Sequence, residues 1–317
     1  MKSRAVVIKQ PGSLALATLD LIAPEQDDVV VAVDYSGIST GTERLLFEGR
    51  MPSFPGMGYP LVPGYESTGR IVDAGINARD RIGERVFVPG ASCFADARGL
   101  FGANAQRLVV PSVRATAIAD ELAEQGVLLA LAATACHALF PNGHGAPAVL
   151  PELIVGHGAL GRLLARLVLA LDGDSPTVWE NEPRRTAGAT GYTVCRAEDD
   201  TRQDYRCIVD ASGNADLLDT LIGRLARQGE IVLAGFYADR PSFGFAPAFM
   251  REARFRIAAE WQTADLSAVL QLLSTGRLSL DGLISHRYRA GEAATAYDTA
   301  FGDAESIKTL LDWRVEP

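Results

Sequence analysis

The segment that most limits what this chain can fold into is Leu153-Ile154-Val155-Gly156-His157-Gly158-Ala159-Leu160-Gly161. A short apolar run, glycines spaced G-x-G-x-x-G and the leucine-patterned stretch after them predict a strand, a tight turn and a helix whose N-terminus can receive a pyrophosphate. Gly156 permits the turn, Gly158 lets the backbone approach the phosphates, and Gly161 lets the helix close on the strand, because a Cβ at each would collide. Glycines alone also describe an ordinary strand-to-helix turn. A second short run, Thr177-Val178-Trp179, ends in Glu180, a carboxylate placed to meet the ribose hydroxyls of NAD and to repel the extra phosphate of NADP. Dinucleotide binding is the expectation.

A length of 317 residues allows two domains. The hydrophobic content of 48%, charged content of 22% and mean hydropathy of +0.09 describe a soluble globular chain, not a disordered one. A net charge of -9 argues against nucleic acid or an anionic membrane as partner, since both attract basic surfaces. The opening MKSRAVVIKQPGS lacks a long apolar core, and no later stretch has eighteen uninterrupted apolar residues, so no integral membrane segment and a cytoplasmic location are expected. Cys93, Cys136, Cys195 and Cys207 are irregularly spaced with no C-x-x-C pair, which predicts free thiols.

From Ala5 to about Val110, short strands broken by Pro and Gly predict a β-rich unit: 5–8, 29–35, 68–73, 85–88 and 105–110. The interruption from Arg44 to Pro63 is too rich in Pro and Gly for a helix or central strand. It reads as a loop whose apolar groups form a substrate wall or pack between domains. After Pro111 the texture turns to alanine and leucine, with a helix over 121–139 and an amphipathic helix over 159–171. Strands at 192–195, 207–210, 230–234 and 255–259 alternate with helices at 215–226 and 265–274, implying a doubly wound parallel sheet. The tail adds strand-like runs at 283–288 and 308–313 flanking a helix at 293–301. The fold class expected is α/β, with domains at 1–120 and 121–264 and a segment, 265–317, that returns to complete the first.

A β-rich opening carrying Gly37-Ile38-Ser39-Thr40-Gly41-Thr42-Glu43 and Gly64-Tyr65-Glu66-Ser67-Thr68-Gly69, followed by the glycine fingerprint, resembles the medium-chain dehydrogenase/reductase superfamily. The resemblance runs through the whole chain and implies a GroES-like catalytic domain, a Rossmann domain and an active site in the cleft between them. The segments Val178-Trp179-Glu180, Asp210-Ala211-Ser212-Gly213, Leu233-Ala234-Gly235-Phe236-Tyr237, Phe249-Met250-Arg251-Glu252-Ala253, Ile257-Ala258-Ala259-Glu260-Trp261 and Leu311-Asp312-Trp313-Arg314 are similar to the bacteriochlorophyllide a dehydrogenase branch. That branch implies NAD-dependent oxidation of a 3-(1-hydroxyethyl) group on a chlorin or bacteriochlorin to 3-acetyl, in bacteriochlorophyll biosynthesis. Dimers are common in such families, so a homodimer is a possible state.

Zinc members of the superfamily carry a Cys and a His where this sequence has Ser39 or Thr40 and Tyr65, and a third cysteine where it has Ala130. A hydroxyl and a phenol are poor zinc ligands at neutral pH, so no metal is expected. Without zinc, Ser39, Thr40, Thr42 and Tyr65 are the motif-aligned hydroxyls able to hold the alcohol oxygen as it becomes a carbonyl. Tyr65 as base would need a nearby positive charge; otherwise it is a buried phenol standing in for a lost ligand. Glu66 reads as structural. His137 follows Thr134 on a helix that the resemblance places near the nicotinamide, either as a proton relay or as a satisfied helix histidine.

The expected cofactor residues are Thr134, Gly156, His157, Gly158, Ala159, Leu160, Gly161, Glu180, Arg185, Asp210, Ser212, Gly213, Gly235, Phe236 and Tyr237, with His157 meeting the pyrophosphate through its backbone. Arg184 and Arg185 either stack on adenine, pair with a 2′-phosphate or form a solvated face. A tetrapyrrole needs a wide apolar cleft, for which Met51 to Tyr59 with Phe236, Tyr237, Phe243, Phe245, Phe249 and Met250 are candidates, and Arg50 or Arg251 for a substrate propionate. Two other readings stand beside the dehydrogenase: an NADPH-dependent quinone or enone reductase, and a dinucleotide-binding regulator or pigment carrier without turnover.

Overall fold

A computed structural model describes residues 1–53, 55–99 and 101–314. The chain opens with strands β1 (Lys2–Gln10), β2 (Ser13–Asp20) and β3 (Asp28–Ile38), helix α1 (Thr42–Glu48), and strands β4 (Ser67–Ala74), β5 (Arg85–Val88), β6 (Arg107–Pro111) and β7 (Thr116–Ala117). Then come α2 (Leu129–Leu139), β8 (Leu153–Val155), α3 (Ala159–Ala170), β9 (Thr177–Trp179), β10 (Thr193–Cys195), β11 (Tyr205–Asp210), α4 (Leu218–Arg224), β12 (Leu225–Leu233), α5 (Phe245–Arg251), β13 (Arg254–Ile257) and α6 (Thr263–Ser274). The chain closes with β14 (His286–Arg289), α7 (Ala293–Gly302) and β15 (Thr309–Asp312).

It forms two compact units, 1–130 with 283–317, and 131–282. The chain re-enters the first unit at Leu283, later than the expected 265, because α6 clusters with the second.

In the first unit, β1 and β2 form an antiparallel hairpin, and a seven-stranded sheet runs β14-β15-β3-β4-β5-β7 with β6 paired to β3. Its centre is β3, where Val29, Val30, Val31 and Val33 are buried. β-branched side chains suit the pleat, and each fully buried one contributes about 1.5–3 kcal/mol. With Ile71, Val86, Leu108 and Tyr297 they make one apolar core.

The second unit holds a six-stranded parallel sheet in the order β10-β9-β8-β11-β12-β13. Counted from β8 this is 3-2-1-4-5-6, the doubly wound order, whose direction reverses between β8 and β11. Leu153, Ile154 and Val155 are buried throughout, as a strand covered on both faces requires.

Four local readings differ from the structure. Helix α1 occupies the start of the stretch expected as loop from Arg44, and stops where Gly49 takes a left-handed conformation at φ 70°. Strand β2 was not foreseen, because its burial is partial and its pattern weak. Helix α5 lies within the aromatic segment named as a candidate cleft wall, for which no helix was expected. The helix expected over 121–139 is broken: Asp120–Leu128 is 3₁₀ with Ala123 at φ 39°, ψ -117°, and α2 follows. By length and composition Asp120–Leu139 could cross a membrane, but most of it, 61% of its most apolar window, is buried inside the fold.

Candidate functional site

The glycine turn of the second unit is built as its sequence dictates. Gly156 has φ +96°, a region that favours glycine, and a Cβ on Gly161 would lie 1.8 Å from the Gly156 carbonyl oxygen. Strand and helix therefore close only around Gly161. A Cβ on Gly158 would meet no protein atom within 4 Å, so the space above it is open to a ligand. Among the described residues no side chain caps α3, whose first residues are Ala159 and Leu160, and its first turn carries no acid. The helix end thus offers free N–H groups and a positive dipole, while a Cβ on Gly158 would fill the cradle.

Glu180 is half-buried at the end of β9, and its carboxylate accepts from His157 N at 3.0 Å and Glu182 N at 2.8 Å. The acid and the glycine turn are thereby held together. The His157 backbone N–H, expected on a pyrophosphate, is used by Glu180 instead. Its ring is buried, with Nδ1 2.6 Å from the Arg185 carbonyl and Nε2 2.8 Å from the Tyr192 hydroxyl. Burial pushes this imidazole down to about 4, so it is a neutral structural group. Arg162 donates to the carbonyls of His157, Arg185 and Ala187 and ties the same loop together. Arg185 enters this arrangement through its carbonyl; Arg184 pairs with Glu182 at 2.8 Å.

Beyond β11, Asp210 is buried and accepts from Ser212 N (2.8 Å), Ser212 Oγ (2.6 Å) and the Tyr237 hydroxyl. Gly213 at φ +68° lies against the Phe236 carbonyl, and a Cβ on Gly235 would come 2.6 Å from Gly213 N. The Ser212 backbone borders Gly156, so the turns after β8 and β11 meet where the sheet reverses. Thr134 and His137 share α2, where His137 Nδ1 is 2.9 Å from Asp265 Oδ2.

In the first unit, Tyr65 donates its hydroxyl proton to Ser39 Oγ at 2.7 Å and is also bonded by the Thr42 side chain. Burial, then the Glu66 charge, raises the Tyr65 phenol above its ordinary value, which opposes its use as a free base. Thr40 is exposed, and the bond between Tyr65 and Ser39 does not involve it. Beneath Ser39 lies Glu43, fully buried, accepting from Ser39 N (3.1 Å), Asn104 Nδ2 (3.1 Å) and the Tyr297 hydroxyl. Burial pushes the Glu43 carboxyl up to about 8. Glu66, also buried, binds Lys308 Nζ through both oxygens at 2.9 and 2.7 Å, and Lys308 donates further to the Ile38 carbonyl. A Cβ on Gly37 would sit 2.2 Å from Glu66 Oε2, which explains that glycine.

An alcohol dehydrogenase GroES-like domain model matches residues 25–120. The 2-desacetyl-2-hydroxyethyl bacteriochlorophyllide A dehydrogenase of Cereibacter sphaeroides is 54% identical over 99% of both chains, and its Rhodobacter capsulatus counterpart is 53% identical over 99% of both. The chain belongs to the bacteriochlorophyllide dehydrogenase family. Among solved structures, an Escherichia coli alcohol dehydrogenase complexed with NADH superposes with a TM-score of 0.81 over 98% of this chain and 99% of that one, at 21% identity, and shares the fold.

The superfamily's catalytic zinc does not fit the donors that this bacteriochlorophyllide dehydrogenase homologue has at the corresponding positions. Ser39 and Tyr65 are a hydroxyl and a phenol bonded to each other, and Ala130 offers a buried methyl.

The expected apolar wall is only partly assembled. Phe243, Phe245, Phe249 and Met250 line an open cavity of about 590 Å³ with Phe255, whereas Phe236 and Tyr237 are not among its walls. Phe54 of the Met51–Tyr59 stretch lies outside the described residues; Met51 is buried in its own unit. Arg251 is spent on the carbonyls of Leu225 and Gly223, which removes it as a propionate partner, and Arg50 contacts Glu48 at 3.4 Å. Glu43, Asn104, Tyr297 and Lys308 went unassigned in the sequence. Their one signal was polar residues inside apolar runs, most plainly Lys308 at the head of the last strand.

Proposed function

We propose that the protein oxidises the 3-(1-hydroxyethyl) group of a bacteriochlorophyllide to 3-acetyl, in the cytoplasm, with NAD as hydride acceptor and without catalytic zinc. The observation that carries this reading is 54% identity over 99% of the chain to a dehydrogenase named for that substrate. When bound, NAD supplies the electrophilic carbon that takes the hydride. The chain's residues orient the reactants and handle the proton. Ser39 receives a hydrogen bond from Tyr65, which leaves the serine's own proton free to turn toward or away from an alcohol oxygen. The Ser39–Tyr65–Thr42 hydroxyl chain orients that oxygen and passes its proton outward by reorientation of successive O–H groups. Glu43 fixes the Ser39 backbone, and Glu66 with Lys308 braces the strand ends that carry both hydroxyls.

The choice of NAD over NADP rests on Glu180, whose carboxylate is held at the glycine turn, where it can receive ribose hydroxyls and would repel a 2′-phosphate. Incubation of the purified protein with hydroxyethyl bacteriochlorophyllide and NAD should give the red-shifted acetyl pigment over many turnovers, with metal removal leaving the rate unchanged. Failure to exceed one turnover would support a pigment carrier instead. A catalytic metal ion removed together with activity would overturn the zinc-free chemistry.

A further inference from the structure

We propose that Cys136, His144 and Asp265 form a binding site for a zinc-like divalent cation, a structural clip within the second unit. The Cys136 sulfur, a His144 ring nitrogen and an Asp265 carboxylate oxygen lie within 4.8 Å of one another. Cys136 and Asp265 are buried, while about a quarter of the His144 side chain is exposed, which gives an ion a way in. Soft thiolate, imidazole and one carboxylate are the donors that zinc and cobalt prefer; calcium and magnesium take oxygen alone. A tetrahedral zinc with bonds of about 2.0–2.3 Å wants its ligand atoms about 3.5 Å apart, so no pair need close by more than about an ångström, while the His144–Asp265 contact, 2.8 Å as a hydrogen bond, opens by less than that as the ion replaces the shared proton, leaving a fourth position for water.

The carboxylate is already aimed. Its Oδ2 accepts from Gln262 N at 2.7 Å and lies 2.9 Å from His137 Nδ1, while its Oδ1 faces His144 Nε2 at 2.8 Å. One oxygen is thus held by outer partners and the other is turned to the site, the arrangement that orients metal-bound carboxylates. The His144 ring packs against Phe140 at 4.3 Å between centroids, limiting its swing. Cys136 sits on α2, His144 in the loop after it, and Asp265 in the first turn of α6, so an ion would link segments 121 residues apart. None of the three belongs to the Ser39–Tyr65 arrangement. The site departs from the expectation of no metal, and it makes His137, read as either a proton relay or a satisfied helix histidine, the outer partner of a ligand.

The test is to strip full-length protein with chelator and titrate it with cobalt(II), then zinc. One cobalt per chain should bind with sulfur-to-cobalt charge-transfer absorption, releasing the thiol proton to solvent, and zinc should displace it. At a hundredfold excess over the dissociation constant the melting temperature should rise by about 5–10 °C. Cys136→Ala should abolish the absorption and His144→Ala should weaken binding at least about 100-fold, both without lowering the metal-free melting temperature by more than a few degrees, while Ser39→Ala binds as wild type. Absence of the absorption in wild type, or its persistence in Cys136→Ala, overturns the proposal. If Cys136→Ala fails to fold, undiminished cobalt affinity in folded His144→Ala overturns it equally.

Discussion

The glycine turn of the second unit and the hydroxyl network of the first solve the same problem, placing polar groups inside an apolar fold, by opposite routes. The turn is local: Gly156, Gly158 and Gly161 lie within one strand–helix junction, and Glu180 reaches it from 23 residues on. The network is assembled from afar. Tyr65 meets Ser39 across 26 residues, Asn104 meets Glu43 across 61, Lys308 meets Glu66 across 242 and Tyr297 meets Glu43 across 254. Local backbone geometry tolerates loss of a side chain because the polar groups at the turn are main-chain N–H groups that stay in place. A buried long-range network does not, since each member leaves another unsatisfied.

The sharpest way to break that comparison is Lys308→Met. It strands the Glu66 carboxylate in a buried site, and stability measured by urea denaturation should fall by about 3–5 kcal/mol. Replacing Glu66 as well, in Glu66→Gln/Lys308→Met, should recover part of the loss. Glu180→Ala, at a half-buried position, should cost no more than about 1 kcal/mol. Equal losses at the two sites would mean that the network is no more cooperative than the turn.

Catalysis should divide in the same way. Tyr65→Phe and Ser39→Ala should each lower kcat by about 10²–10³ with the KM for dinucleotide nearly unchanged, because in the proposed mechanism they remove hydroxyls that act on the alcohol. Glu180→Ala should leave kcat within a fewfold and shift the NAD-to-NADP ratio of kcat/KM toward NADP by about 10–100-fold. Steady-state kinetics with both cofactors checks both. An unchanged cofactor ratio would remove Glu180 from discrimination and revive the reductase reading.

The contrast also explains what was legible in the sequence. The parallel sheet and its turn were readable because strand, glycines and helix follow one another, with Gly156 set by its positive φ, Gly161 by close approach of the backbone and Gly158 by the open space above it. The Ser39 and Tyr65 motifs were readable as positions that hold no zinc ligand. What joins them was not, because Lys308 reaches Glu66 through the pairing of β15 with β3, Tyr297 reaches Glu43 through the packing of α7, and Asn104 reaches it from the chain beside β1, and spacing carries no trace of these contacts. Arg251 misled because an arginine beside aromatics looks like a carboxylate receptor, whereas here it caps the end of α4. His137 left two readings open, relay or satisfied helix histidine, because its partner Asp265 lies 128 residues on.

The pH dependence of stability separates the two units by sign. His157, a base, is pushed from 6.5 down to about 4 by burial, so the unfolded chain binds its proton first. Its contribution is complete above about pH 6.5 and is lost as pH falls toward 4. Glu43, an acid, is pushed from 4.5 up to about 8, so the folded chain keeps a proton that the unfolded chain releases. Its penalty is absent below about pH 4.5 and grows as pH rises to 8. Between 4.5 and 6.5 the two slopes oppose each other and largely cancel; between 6.5 and 8 only the Glu43 loss remains. Each slope is at most about 1.4 kcal/mol per pH unit. Other buried groups titrate too, so the quantity to measure is the stability difference between wild type and variant across pH 4–9. For His157→Gln that difference should change only below about 6.5, and for Glu43→Gln it should change up to about 8 and then level. A Glu43→Gln difference that is flat across the range would mean that the carboxyl is already ionised inside the first unit, leaving Lys308 to balance two buried charges instead of one.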